Sequence, residues 1–158
     1  EYGGSFENRT RFMAEIAKAV RTSIPDSMPL FVRISATDWL EGGWTLDDSI
    51  ELAKILKEIG VDLIDVSSGG TSSGAPVPVG PGYQVPLAAA IKEGAKIPTS
   101  AVGLITEPAQ AESIIADGKA DAVMLGREML RNPRWPLHAA HVLGAEVQWP
   151  LQIVRGKN

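Results

Sequence analysis

The feature that most constrains this chain is a regular alternation. Short apolar segments recur about 25 to 35 residues apart with helical patterns between them, which is how parallel βαβ units are written. The strand-like segments are Leu30-Phe31-Val32-Arg33-Ile34-Ser35, Leu63-Ile64-Asp65-Val66, Ile97 to Ala101, and Ala122-Val123-Met124-Leu125. Parallel strands cannot be joined by tight hairpins, so each must return through a crossover, and the intervening helices supply it. The predicted order is α-β-α-β-α-β-α-β-α.

Local signals set the ends of these elements. Ser5 caps a first helix, with Phe12, Ile16, Ala19 and Val20 at helical spacing to about Arg21. Thr45 and Asp48 spell a capping box, and Gly60 ends the helix they open. A long Gly/Ser/Pro loop is read from Ser67 to Gly82, a length usually tied to function or motion. A short helix is expected from Gln84 to Glu93. Thr106 is read as the cap of a helix with Pro108 in its first turn and Gly118 at its close. A helical turn is expected over 128–131 and a last helix over 134–143, closed by Gly144.

One internal echo stands out. Ile59 to Ile64 resembles Gly118 to Val123: in both, a helix ends at Gly and an Asp precedes the strand. Shared αβ-turn chemistry explains the echo locally, and a (β/α) repeat explains it at the level of the fold. Four such units are half of an eight-fold barrel. No linker divides the chain, so residues 1–158 are expected to form a single domain.

Composition excludes several function classes. Among 158 residues, 44% are hydrophobic and 22% charged, far from the apolar-poor, highly charged profile of a disordered chain. The formal net charge is −4, which gives a nucleic-acid role no electrostatic support. There is no cysteine, so neither a disulfide framework nor a thiolate metal site can form. No apolar run approaches a membrane span, and no signal peptide is recognised; a cytoplasmic setting is expected. The chain opens at Glu1 rather than Met, in what reads as the middle of a loop, and is expected to be a piece of something longer.

The candidate chemistry lies at the carboxyl ends of the strands. Val102-Gly103 follows the third and Gly126-Arg127 the fourth. Glycines there let backbone N–H groups approach an anion, and Arg127 adds a planar, permanently charged fork suited to phosphate oxygens. In barrels the loops after the last two strands are the usual phosphate site. Arg33 sits inside the first strand, on the opposite side from Val32 and Ile34, where burial of a charge is costly unless it is paired. It either meets a ligand in the barrel mouth or forms an ion pair with Asp62 or Asp65. Ser67-Ser68-Gly69-Gly70 follows the second strand at the same end.

Three other motifs are set aside. Gly70-Thr71-Ser72-Ser73-Gly74 matches a serine-hydrolase pattern, but that motif needs an immediate helix, and a Pro-rich loop follows here. His138 and His141 lie one helical turn apart without nearby acidic partners, as on a polar helix face. Asn8-Arg9-Thr10 is a glycosylation sequon in a chain with no other sign of secretion.

Taken together, the motifs resemble a known family. Tyr2-Gly3-Gly4-Ser5-Phe6-Glu7-Asn8-Arg9-Thr10-Arg11-Phe12 is similar to the YGGS-x-ENR-x-RF segment of the old yellow enzymes. Phe31-Val32-Arg33-Ile34-Ser35, Asp65-Val66-Ser67-Ser68-Gly69, Ala101-Val102-Gly103, Gly126-Arg127-Glu128-Met129-Leu130 and Asn132-Pro133 follow in that family's order. The likeness is greatest to its thermophilic-like ene-reductase branch, which includes bacterial NADPH dehydrogenases.

The resemblance implies the C-terminal half of an FMN-dependent (β/α)₈ TIM barrel, with the N-terminal half absent from this chain. It implies hydride transfer from NADPH or NADH to an activated alkene, an α,β-unsaturated carbonyl. By matching motifs, Arg33 contacts the flavin near its N1 and O2 edge, where a fixed positive charge favours the reduced ring. Val102, Gly103, Gly126 and Arg127 hold the FMN phosphate, with Ser67 lining the same end. Arg155-Gly156 resembles a C-terminal arginine finger inserted into a neighbouring subunit's site, although Lys157-Asn158 replaces the aromatic residue that usually follows. Partners are therefore a homo-oligomer or the other half-barrel, and this chain alone is expected to be inactive. Two alternatives remain open: another phosphate-binding barrel enzyme, for which Asp65 is the one internal strand carboxylate, and a non-catalytic half-barrel that self-associates.

Overall fold

The computed structural model describes residues 1–157, so Asn158 of the tail motif lies outside the described residues. The elements are α1 (Phe6–Ser23), β1 (Phe31–Ser35), α2 (Leu46–Ile59), β2 (Leu63–Ser67), α3 (Val85–Ala95), β3 (Thr99–Val102), α4 (Pro108–Ala116), β4 (Ala122–Met124), α5 (Arg127–Arg131), α6 (Trp135–Val142) and a 3₁₀ turn (Val154–Gly156). The strands form one four-stranded sheet in the order β1-β2-β3-β4, and every pairing is parallel. This is the α/β half-barrel arrangement expected from the alternation.

Side-chain alternation decides what each face of the sheet meets. Val32 and Ile34 on β1, Ile64 and Val66 on β2 and Ala101 on β3 are buried in one apolar cluster with Leu52, Leu56, Ala88 and Ile91 of the helices. The other face carries Phe31 and Arg33, which stay exposed, in register with Leu63 and Asp65 of the next strand. A closed barrel buries that second face.

The echo seen in the sequence is one device used twice. Asp62 Oδ2 accepts from Leu30 N–H at 2.8 Å, while Asp62 N–H donates to Leu30 O at 2.9 Å. Asp121 Oδ2 accepts from Thr99 N–H at 3.0 Å, while Asp121 N–H donates to Thr99 O at 2.8 Å. In each case the Asp ahead of one strand closes the first backbone pair of its neighbour and sets the register.

Helix ends follow the sequence to within two residues, with α3 running two residues past Glu93 to Ala95, and one cap is corrected. Ser5 accepts from Asn8 N–H, and the Thr45–Asp48 capping box is complete. Gly60 takes the left-handed conformation, at φ 98°, that ends α2. The cap of α4 is Glu107 rather than Thr106: Pro108 fills the first helical position, and Glu107 is extended with no side-chain cap bond. Thr106 N–H is instead met by the Gln110 side chain. The third strand starts at Thr99 rather than Ile97: Pro98 has no N–H to give, and its carbonyl alone joins the ladder, accepting from Ile64 N–H at 3.0 Å.

Candidate functional site

A cleft of about 370 Å³ opens at the carboxyl ends of the strands. The residues singled out in the sequence meet there: Arg33, Ser67, Val102, Gly103, Gly126 and Arg127 all line it. They come from all four strand ends, so only the parallel order β1-β2-β3-β4 brings them together. Arg155 does not line this cleft; it is exposed in the C-terminal 3₁₀ turn.

Arg33 forms the ion pair and also lines the cleft. Its guanidinium faces the cleft, with Nη1 3.3 Å from Asp65 Oδ2, while Nε donates to Ser67 Oγ at 3.4 Å. Asp65 is the partner because β1 and β2 pair Arg33 with Asp65 in register. Asp62 is engaged instead with Leu30 and lies 3.7 Å from Arg21. Asp65 Oδ1 accepts from Ser100 Oγ at 2.7 Å, so both carboxylate oxygens are occupied. Asp65 is not among the residues that line the cleft.

Arg127 differs from its neighbours in the cleft. Arg131 is paired with Glu128 at 2.7 Å, and Arg33 with Asp65, whereas Arg127 has no salt bridge among the described residues. It is exposed in the first turn of α5, directly after Gly126. The donor set thus combines one unpaired guanidinium with backbone N–H groups that have no intrahelical acceptor. That set fits a phosphate.

The sequence reading missed the framework beneath these residues. Gln84 is buried, accepts from Ser68 Oγ at 2.8 Å and donates to Val102 O at 2.8 Å, tying the ends of β2 and β3 together. Gly103 has φ 127°, and a Cβ placed there would lie 2.9 Å from the Tyr83 ring and 3.0 Å from the Gln84 amide nitrogen. Glycine is required on both counts. A glutamine at the start of a helix carries no motif that would have flagged it.

The long loop is anchored at its base. Thr71 donates to Asp38 Oδ1 at 2.6 Å, Gly69 N–H donates to Thr37 O, and Ser35 donates to Gly69 O. The Thr71 hydroxyl, and then the Trp44 N–H, hold the Asp38 carboxyl below the ordinary aspartate range. No helix follows the Gly70–Gly74 pattern until Val85, so a strand–turn–helix nucleophile site is not formed. Asn8 of the sequon is used structurally, donating to Gly3 O. No group of three or more His, Cys, Asp or Glu suited to a metal occurs among the described residues.

A parallel sheet with an anion-ready cleft at its carboxyl end defines a barrel-type α/β protein of the phosphate-cofactor kind. The chain belongs to the NADH:flavin oxidoreductase / NADH oxidase family, whose model matches residues 1–146. It is 53% identical over 156 residues to the NADPH dehydrogenase of Geobacillus thermodenitrificans, covering 99% of this chain and 45% of that protein. The NADPH dehydrogenase of Halalkalibacterium halodurans is 53% identical over 154 residues, covering 98% and 45%. The chain therefore spans a little under half the length of these curated relatives.

Solved structures agree. A 2-naphthoyl-CoA reductase in complex with 2-naphthoyl-CoA is 33% identical with a TM-score of 0.78, covering 90% of this chain and 22% of that one. Histamine dehydrogenase from Rhizobium sp. 4-9 is 26% identical with a TM-score of 0.73, covering 91% and 21%. Morphinone reductase is 25% identical with a TM-score of 0.66, covering 94% and 38%. The resemblance to old yellow enzymes drawn from the motifs is borne out. Among the described residues no helix is long and apolar enough to cross a membrane.

Proposed function

We propose that this chain is the FMN-gripping part of an NAD(P)H-dependent reductase of activated C=C bonds, acting on α,β-unsaturated carbonyls. The observation that carries this reading is the convergence of Arg33, Ser67, Val102, Gly103, Gly126 and Arg127 on one cleft, within a chain of this flavin family.

Each residue has a role derived from its surroundings. Arg127, free of carboxylates, and the backbone at Gly103 and Gly126 hold the phosphate. Arg33, at the β1 end of the sheet and so across the cleft from Arg127, would supply a permanent positive charge to the flavin ring. Asp65 and Ser67 fix its direction, so the charge is pre-oriented and costs little reorganisation when used. Gln84 keeps the ends of β2 and β3 at a constant spacing beneath the ligand. FMN held there would supply the two-electron hydride chemistry between NADPH or NADH and the alkene.

The remaining length of the protein closes the barrel over the exposed sheet face and completes the substrate site. The protein works in the cytoplasm as a homo-oligomer in which Arg155 reaches a neighbouring site. The test is a visible absorption spectrum of the chain after incubation with FMN and desalting. Retained flavin bands are the expected result. A colourless protein, both for this chain and for the longer protein that carries it, overturns the reading.

A further inference from the structure

Three residues on adjacent strands stand in one row across the sheet. Parallel register pairs Arg33 of β1 with Asp65 of β2, and Asp65 with Ser100 of β3. Side chains alternate along a strand, so all three lie on the face opposite Val32, Ile34, Ile64, Val66 and Ala101. The row ends at β4, where Ser100 pairs with Ala122, a residue with no polar side-chain atom. Arg33 lines the cleft, whereas Asp65 and Ser100 do not. Any effect of Ser100 on a ligand there must pass through its neighbours in the row.

Ser100 is a poor packing residue for its place. It is fully buried in a strand, where β-branched and aromatic side chains fit better and an unbonded hydroxyl is costly. Its hydroxyl donates to Asp65 Oδ1 at 2.7 Å, and the other oxygen of that carboxylate lies 3.3 Å from Arg33 Nη1. One partner on each oxygen fixes the plane of the carboxylate. The Arg33 side chain is exposed and Asp65 is buried, so the guanidinium takes its direction from the carboxylate and not the reverse. Its other hold, from Nε to Ser67 Oγ, is long at 3.4 Å, which leaves most of the work to Asp65. Thr99, the neighbouring buried hydroxyl, makes the contrast: it donates to Ala88 O in α3 and has no link to the row.

We propose that Ser100 is a positioning residue for Arg33: by holding Asp65 it fixes the direction of the guanidinium and so tunes the reduction potential of FMN held in the cleft. The proposal rests on the flavin reading and gives a role to a side chain outside the cleft. A positive charge fixed beside the ring favours the reduced, anionic form over the neutral oxidised one. That preference falls with distance, so a guanidinium free to sample other rotamers supplies less of it. Loss of the Ser100 hydroxyl therefore lowers the potential in the same direction as loss of Arg33, and by less.

The experiment measures the two-electron potential of FMN bound to the longer protein that carries this chain, by equilibration with a reference dye. Ser100→Ala, Arg33→Met, the double variant and Thr99→Val are compared, with folding checked by circular dichroism. Arg33→Met is expected to weaken reduced FMN relative to oxidised by about ten-fold, a fall of about 30 mV, and Ser100→Ala by about three-fold, a fall of about 14 mV. In the Arg33→Met background Ser100→Ala adds nothing, because its route is gone. Thr99→Val, which removes a buried hydroxyl outside the row, leaves the potential unchanged. Ser100→Cys, a weaker donor of similar size, carries the same test should Ser100→Ala not fold. A folded Ser100→Ala protein with the wild-type potential overturns the proposal, and so does an equal shift with and without Arg33. Nitrogen-15 relaxation of Arg33 Nε, read on the same proteins before FMN is added, separates this proposal from the one it rests on. A guanidinium loosened by Ser100→Ala in a protein that binds no FMN sinks the flavin reading and leaves the hold of Ser100 on Arg33 standing. FMN bound at an unmoved potential, with Arg33 unloosened, sinks the positioning role alone.

Discussion

The Arg33 guanidinium lies 3.3 Å from Asp65 Oδ2, across the β1–β2 pairing that sets these two residues side by side. The pair is unequal. The Arg33 side chain is 60% exposed and that of Asp65 only 12%. Removing the carboxylate leaves a guanidinium that water can solvate, whereas removing the guanidinium leaves a nearly buried carboxylate held by Ser100 alone.

Arg33→Met is therefore expected to cost more than Asp65→Asn. An under-satisfied buried acceptor costs about 1–3 kcal/mol. Loss of a largely exposed ion pair costs about 1 kcal/mol or less. Urea unfolding of both variants checks the order, and equal or reversed losses would show that the pair is not asymmetric.

Arg127→Ala tests the phosphate grip. Arg127 has no protein carboxylate to release, so its removal leaves the fold within about 0.5 kcal/mol of wild type. FMN affinity is expected to fall by about ten-fold or more, the scale of a lost charge-assisted hydrogen bond. Fluorescence titration with FMN reads this directly, and an unchanged dissociation constant removes Arg127 from the site.

Gly103→Ala attacks the framework. The new Cβ meets the Tyr83 ring at 2.9 Å in a backbone conformation, φ 127°, that side chains rarely adopt. A destabilisation of about 2 kcal/mol or more follows from strain and displacement together. Gln84 moves with Tyr83, so flavin retention is expected to drop in the same variant. Thermal melting and flavin content measured together check the coupling.

Asp48 makes stability depend on acidity. Burial raises its pKa, but the Thr45 hydroxyl and N–H and the nearby Arg9 outweigh this, and the net direction is down. A folded pKa below the unfolded one gives stability that is fully present above the unfolded value, about pH 4, and is lost as pH falls through the folded value. Asp48→Asn should therefore flatten the stability profile below about pH 4. Thr45→Ala, which breaks the same capping box, costs about 1 kcal/mol at neutral pH. Unfolding curves across the acid range decide whether the slope belongs to Asp48 or to Asp38 and Asp121, whose carboxyls are also held low.

Much of this protein was legible in its sequence. The strand spacing, the capping box at Thr45 and Asp48, and the glycines after the third and fourth strands are local signals, written in residues close together in the chain. Arg33 was marked by being a charge inside an apolar strand, and Arg127 by following a strand end and a glycine. Thr106 was misread as a cap because the sequence offers a hydroxyl beside Pro108, and only the backbone path shows Glu107 in that place.

What the sequence by itself determined, then, was the list of elements and the residue types at their ends, because periodicity and capping act over a few residues. The tertiary structure decided which of those residues meet. The choice of Asp65 over Asp62 as partner of Arg33 comes from parallel register between segments 32 residues apart in their paired positions, Arg33 and Asp65. Gln84 bridges Ser68 and Val102 only because the loop returns over β3. Such contacts depend on the shape of the closed chain, and no local pattern encodes them.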